Sequence, residues 1–339
     1  MHTVVQPPYM DHRSEATKLD AFLSLDLIRT VEAAAIAAAR WVGKGDEQSA
    51  DAAAAQAMRQ ALRHVAIQGK VVVGDGPRGS GPVLYVGESV GAGGTAAEVI
   101  VDSLGCITRA ARSGSDSLSV IAVAGPGGFL LVPPVYMDKI AVGPAAVGAH
   151  IAIDAPVGDI VHAVAGATSR PVSEITVCIL DRPRHGQLVH AVRESGAQVR
   201  LISDGDLVGA LLPSLHDSGV DLYVGTGGAQ EGVLAAAALR GLGGRIVARL
   251  APLTDDERSQ IAAVGITDPA RVYGTEDLAQ GEVIFAACGV TGGALLDGAE
   301  LGPRDASTHA VVIRSRTGSV RWIKTHHRLD ESGNLRTGN

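Results

Sequence analysis

Between residues 156 and 240 the chain alternates segments of two lengths. Short apolar runs, ITVCILD (175–181), VRLIS (199–203) and DLYVGTGG (221–228), are interleaved with helix-length stretches at 156–167, 187–195, 206–212 and 230–240. Parallel neighbouring strands need a crossover long enough to hold a helix, so this rhythm predicts βαβ units and a parallel sheet. The preceding part reads differently. Helices are expected at 26–41 and 50–65, both alanine-rich with apolar residues at helical spacing. Five short apolar runs follow, KVVVGDG, PVLYVGE, EVIVDSL, SLSVIAVAG and GFLLVPP, punctuated by glycine and proline. They predict a mostly antiparallel or mixed sheet. The fold class is therefore α/β, with an α+β half over 26–155 and an α/β half over 156–328. Residues 1–25 read as a flexible extension and 329–339 as a polar tail.

Composition narrows the function classes. The chain is 46% hydrophobic, 19% charged and only 3% aromatic, with 43 glycines. A core of small and β-branched side chains suits close packing of helices on sheets. The net charge of −7 speaks against nucleic acid, which needs a basic field. No apolar run approaches the ~20 residues of a membrane helix, and no signal-peptide pattern opens the chain. Cys106, Cys178 and Cys288 are far apart, without CxxC pairing, so neither a disulfide framework nor a zinc site is expected. A cytoplasmic protein without nucleic-acid or membrane partners is the expectation. The glycine-rich 225-GTGGAQEG-232 lacks the spacing of a dinucleotide fingerprint.

Candidate functional residues gather where runs end. Asp46 and Asp51 lie in GKGDEQSAD, Asp75 and Asp102 each end an apolar run, and Glu231 opens a helix after a glycine loop. Converging carboxylates make a hard-oxygen site for Mg²⁺ or Mn²⁺. Taken singly, such acids are ordinarily helix caps or turn residues. Tyr136, Asp138 and Lys139 lie in PPVYMDKIAVGP, and Arg182, Arg184 and His185 in LDRPRHG. Arginines at a strand end can fork onto a phosphate, or form a surface ion-pair cluster. Asp204 and Asp206 can accept from sugar hydroxyls or cap the helix expected at 206–212.

Together these segments resemble the class II fructose-1,6-bisphosphatases, the bacterial GlpX-type sugar phosphatases. The resemblance is carried, in order, by 43-GKGDEQSADAAAAQAMR-59, 71-VVVGDG-76, 83-VLYVGE-88, 118-LSVIAV-123, 136-YMDKIAVGP-144, 182-RPRH-185, 204-DGD-206, 227-GGAQEG-232 and 326-HH-327. It implies a layered sugar-phosphatase fold related to inositol monophosphatase, and a homo-oligomer, dimer or tetramer. It also implies a phosphoric monoester hydrolase acting on a sugar phosphate with Mg or Mn. The implied metal ligands are Asp46, Asp75, Asp102 and Glu231, with Asp75, Asp102 and Glu231 at the reaction. The implied sugar-phosphate pocket is Tyr136, Lys139, Arg182, Arg184, Asp204 and Asp206.

The chain departs from the family at one signature. Where relatives carry Asp-Pro-Ile-Glu-Gly-Thr, this sequence has 102-DSLGCI-107, so a glutamate falls on Gly105 and a threonine on Ile107. The acidic loop of the family becomes 74-GDGPRG-79, which gains Arg78. Cys106 stands inside the altered signature as a lone thiol without a partner base. Three readings follow: a phosphatase with an altered metal site, a homologue that binds sugar phosphate or pairs with an active paralogue without catalysis, and a lyase or isomerase on the same scaffold. The His326-His327 pair is expected to be structural, because adjacent side chains on an extended segment point oppositely.

Overall fold

The computed structural model describes residues 19, 23–74, 84–331 and 333–336. Asp75 and Arg78 lie outside the described residues, as does nearly all of the extension before Leu23. The elements run α1 (Leu23–Ala39), α2 (Glu47–Leu62), β1 (Ile67–Val73), β2 (Ser89–Val90), β3 (Thr95–Asp102), α3 (Ile107–Ala111), β4 (Leu118–Ala124) and β5 (Tyr136–Val142). Then come α4 (Val157–Thr168), β6 (Thr176–Leu180), α5 (Gly186–Glu194), β7 (Gln198–Ile202), α6 (Asp206–Leu211), β8 (Leu222–Gly228) and α7 (Ala229–Leu242). The chain ends with β9 (Arg245–Leu250), α8 (Asp255–Ala263), β10 (Val272–Gly274), α9 (Thr275–Leu278), β11 (Val283–Gly289), β12 (Glu300–Leu301), β13 (Asp305–Arg314) and β14 (Ser319–Arg328).

Two mixed sheets result. The first is ordered β12-β13-β11-β4-β3-β1-β2, with β14 on β13. Within it β1 and β3 are parallel, and β4 is antiparallel to both β3 and β11. The second is ordered β10-β9-β5-β8-β6-β7. Its β6 pairs in parallel with β7 and β8, as the alternating rhythm predicts. The sheet is nevertheless mixed, because β5 joins antiparallel to β8 and β9. The chain enters the second sheet at residue 136 and returns to the first at 283. Two expected strands are absent among the described residues. Residues 84–88 form turns, with Leu84 at φ 56° and Gly87 at φ 96°. Within 128–134 only Phe129 makes a strand-type bridge, to Ala279.

Side-chain parity stacks these parts in five layers. On β4, Ile121 and Val123 face the cluster of α1 and α2, while Val120, Ala122 and Ala124 face the opposite cluster. β11 splits the same way, with Ile284 and Ala286 against Phe285 and Ala287. A strand covered on both faces reads as a continuous apolar run, which explains LSVIAVA and VIFAACG. Behind the second face lies α7, buried on nearly all sides and built as AQEGVLAAAALRGL. Beyond it, Met137, Ala141 and Tyr223 present the inner face of the second sheet. The outer face of that sheet, with Ile140, Val142, Val177 and Ile179, packs on Val161 and Val164 of α4.

A helix between two sheets must be thin. A Cβ at Gly232 would collide with Met137 of β5, and one at Gly241 with Ile313 of β13. The alanine and glycine excess is thus what lets both sheets close on α7. Among the described residues no helix is long and apolar enough to cross a membrane. The histidine pair is tied to side chains, His326 to Ser307 at 3.0 Å and His327 to Thr308 at 2.9 Å. Thr308 also donates to the buried Glu32.

Candidate active site

The polar residues of the second sheet meet at its strand ends, the usual place for a crevice in α/β sheets. Lys139 is on the inner face of β5, between Met137 and Ala141, where it is only 2% exposed. Its ammonium pairs with Asp206, itself 8% exposed, at the first turn of α6. It also donates to the Gly228 carbonyl oxygen at 2.6 Å. A buried ammonium needs partners that replace its water, and these two supply them. Gly227 and Gly228 are required beside it. A Cβ at Gly227 would strike the Asp206 carboxylate, and one at Gly228 the Glu231 carboxylate.

Glu231 sits in the first turn of α7, folded back onto Gly228. Burial raises its carboxyl above the ordinary value, the neighbouring Asp206 raises it further, and Lys139 opposes both. A carboxyl shifted in this direction holds a proton more readily at working pH, the property a general acid or base needs.

The basic group is held from below. Arg184 donates to the Thr226 carbonyl oxygen from Nε at 3.2 Å and Nη2 at 2.8 Å, and lies 4.8 Å above the Tyr136 ring. Arg182 donates to the Ser203 carbonyl oxygen and lies 3.3 Å from Asp204 Oδ1. His185, between these arginines and α5, is 3% exposed. Its Nδ1 lies 2.8 Å from the Leu180 carbonyl oxygen, and its Nε2 accepts the Thr226 N–H at 2.9 Å. Those partners fix a neutral ring with its proton on Nδ1, and burial lowers its pKa accordingly. Thr226 in turn donates to Asp138 at 2.6 Å. His185 and Thr226 thus join the loop after β6 to strand β8. Sequence reading singled out His185 without a role, and only its position after a strand end hinted at one.

The first sheet brings Asp102, at the end of β3, to the same side. Gly105 adjoins it closely: a Cβ at Gly105 would stand 2.8 Å from Asp102 Oδ2. Cys106 takes the left-handed conformation at φ 59° and starts α3. Its sulfur faces the Gly205 turn between Asp204 and Asp206. Burial pushes its thiol pKa far up, and Asp204 and Asp102 push it further, so it stays protonated and is no nucleophile. Ile107 packs against the α1 and α2 core. Its position is part of that core rather than of the polar site.

Asp46 is exposed and caps α2, accepting the Ser49 N–H at 2.9 Å, which lowers its pKa. Asp75 lies outside the described residues. Among the described residues no three His, Cys, Asp or Glu side chains stand close enough to hold one ion. Asp75, the fourth implied ligand, is not among those residues. The described side chains bring the cations Lys139, Arg182 and Arg184 to the same strand ends as the acids Asp204, Asp206 and Glu231, with Asp102 nearby.

The family model for bacterial fructose-1,6-bisphosphatase, glpX-encoded, matches residues 21–327. A D-fructose 1,6-bisphosphatase class 2/sedoheptulose 1,7-bisphosphatase from Trichodesmium erythraeum is 36% identical, over 94% of this chain and 99% of its own. A protein of the same description from Synechococcus sp. (strain JA-3-3Ab) is 38% identical, over 92% and 97%.

Proposed function

Since the chain belongs to the bacterial, glpX-encoded fructose-1,6-bisphosphatase family, we propose that it hydrolyses a phosphate monoester of a ketose bisphosphate. The substrates to expect are those named for its relatives, fructose 1,6-bisphosphate and sedoheptulose 1,7-bisphosphate. The observation that carries this reading is the buried Lys139–Asp206 pair, set between Glu231 and the two arginines. Lys139, Arg182 and Arg184 bind phosphate oxygens, the arginines through forked donors. Tyr136 holds the Arg184 plane from below. Asp204 orients Arg182 and, with Asp206, offers acceptors to sugar hydroxyls. Glu231 holds or releases the proton that the attacking water or the leaving alkoxide exchanges.

The family depends on a divalent metal. Magnesium or manganese, the hard ions that carboxylates favour, are the ones to supply. Asp75, Asp102 and Glu231 are the carboxylates proposed to act at the reaction. A homo-oligomer, dimer or tetramer, in the cytoplasm completes the reading. The unpaired state of Cys106, Cys178 and Cys288 supports a reducing compartment.

The test is phosphate release from the two bisphosphates and from matching monophosphates, with Mg²⁺ or Mn²⁺ supplied. Release from a bisphosphate well above that of a Glu231→Ala variant is expected. Release no greater than in that variant would overturn the proposal.

A further inference from the structure

Arg109 lies just past the departed signature, on α3, and so is carried by the first sheet. Its guanidinium reaches the loop after β7 in the second sheet, where Nη1 donates to the Ser203 hydroxyl. Its Nη2 donates to the Ser115 hydroxyl at 2.8 Å. Arg182, arriving from the loop after β6, donates to the carbonyl oxygen of the same Ser203. Two guanidiniums from different sheets therefore converge on one residue. One holds its side chain and the other its main chain.

The two cations are matched differently. Arg182 has Asp204 as a carboxylate partner. Among the described residues the hydrogen-bond partners of Arg109 are two neutral hydroxyls. Its charge is felt nearby, since it opposes the upward push on the Cys106 thiol. A guanidinium held by hydroxyls gains by exchanging one of them for an anionic oxygen, because charge-assisted bonds are the stronger. Its five fixed donors suffice for a forked contact while one serine bond is kept.

We propose that Arg109 is a phosphate-binding, specificity-determining residue of this chain, closing with Arg182 across Ser203 on one phosphate group of a sugar bisphosphate. The proposal rests on the reading of this site as a sugar-bisphosphate site. It gives the altered signature a positive content. Where Gly105 leaves one carboxylate fewer, a fixed cation one turn later faces the substrate. Gripping by Arg109 also draws the two sheets onto the ligand, since its Cα and its target loop belong to different ones.

The experiment is titration calorimetry of fructose 1,6-bisphosphate and fructose 6-phosphate against the full chain and its Arg109→Gln and Arg109→Lys variants, with phosphate release measured in parallel. Arg109→Gln is expected to weaken bisphosphate binding on the order of 10–100-fold, the range for a hydrogen bond to a charged group. Arg109→Lys should recover part of that loss, and monophosphate binding should change less. The melting temperature of the ligand-free variants should stay near that of the parent. If Arg109 only ties the two sheets, Arg109→Gln lowers that melting temperature and leaves both affinities unchanged, and the proposal falls. It also falls if the parent chain binds no bisphosphate. Bisphosphate binding that depends on Arg109 but yields no phosphate would support this proposal while sinking the hydrolytic one.

Discussion

At the ends of β5 to β8 the cations are each bonded to another part of the same site. Lys139 is held by Asp206 and Gly228, Arg184 by Thr226 and Tyr136, Arg182 by Ser203 and Asp204, and Thr226 by His185. At the edge of the first sheet the pattern is looser. Asp46 is exposed and engaged as a cap, Gly105 offers no side chain beside Asp102, and Ile107 belongs to the core. The polar groups at the ends of the second sheet are preorganised by mutual bonds, whereas those at the edge of the first sheet are held less tightly.

That contrast can be broken most forcefully at Lys139. Replacing it with Met leaves Asp206 buried without its cation and the Gly228 carbonyl oxygen without its donor. Loss of one partner of a buried pair costs about 3–5 kcal/mol. Urea denaturation of Lys139→Met should show a loss of that size together with loss of sugar-phosphate binding. A loss below about 1 kcal/mol would mean that the pair is hydrated and the second sheet is no more preorganised than the first.

Glu231 gives the next largest effect, with the opposite sign in stability. Its carboxyl is raised by burial, so the folded chain keeps the proton after the unfolded chain has lost it. As pH rises from the ordinary value of 4.5 through the raised one, stability is lost, and it stays lost at neutral pH. Glutamine cannot ionise and removes that penalty. Glu231→Gln should melt about 2 °C or more above the parent at pH 7, converge with it in acid, and release no phosphate. A variant that melts lower at pH 7 would show that the carboxylate is stabilised where it stands.

The smallest effect belongs to Asp46. Asp46→Ala should lower the melting temperature slightly by removing the acceptor for Ser49, while Asp46→Asn, which retains an oxygen there, should not. Phosphate release that falls equally in both variants would assign this carboxylate to the reaction as well as to the cap. The contrast between the sheets would then narrow.

Legibility in the sequence followed locality. Helices α4 to α7 and the strands between them lie close to where alternation puts them, because each is a local period with a turn at its end. The run at 82–88 misled because apolar content alone cannot distinguish a strand from a turn that plugs a core. Leu84 is fully buried, and its N–H is taken by the Glu88 carboxylate four residues on. Strand type was legible for β4 but its neighbours were not, since a uniformly apolar run carries no register. The same limit applied to the site. Arginines and acids at strand ends announced a phosphate-binding chemistry by type and place. The reach of Arg109 to Ser203, 94 residues away, depends on how the two sheets face each other, which no local pattern encodes.

The return of the chain from the second sheet to the first has a consequence for its biogenesis. β4 is hydrogen-bonded on one side to β3, which precedes it by α3 and its flanking loops, and on the other to β11, which is synthesised some 160 residues later. Until β11 emerges, LSVIAVA is an apolar sheet edge of the kind that recruits foreign strands. The second sheet lies wholly within that delay. The order of synthesis therefore favours a nascent chain whose second sheet is complete while the first still waits for a partner strand.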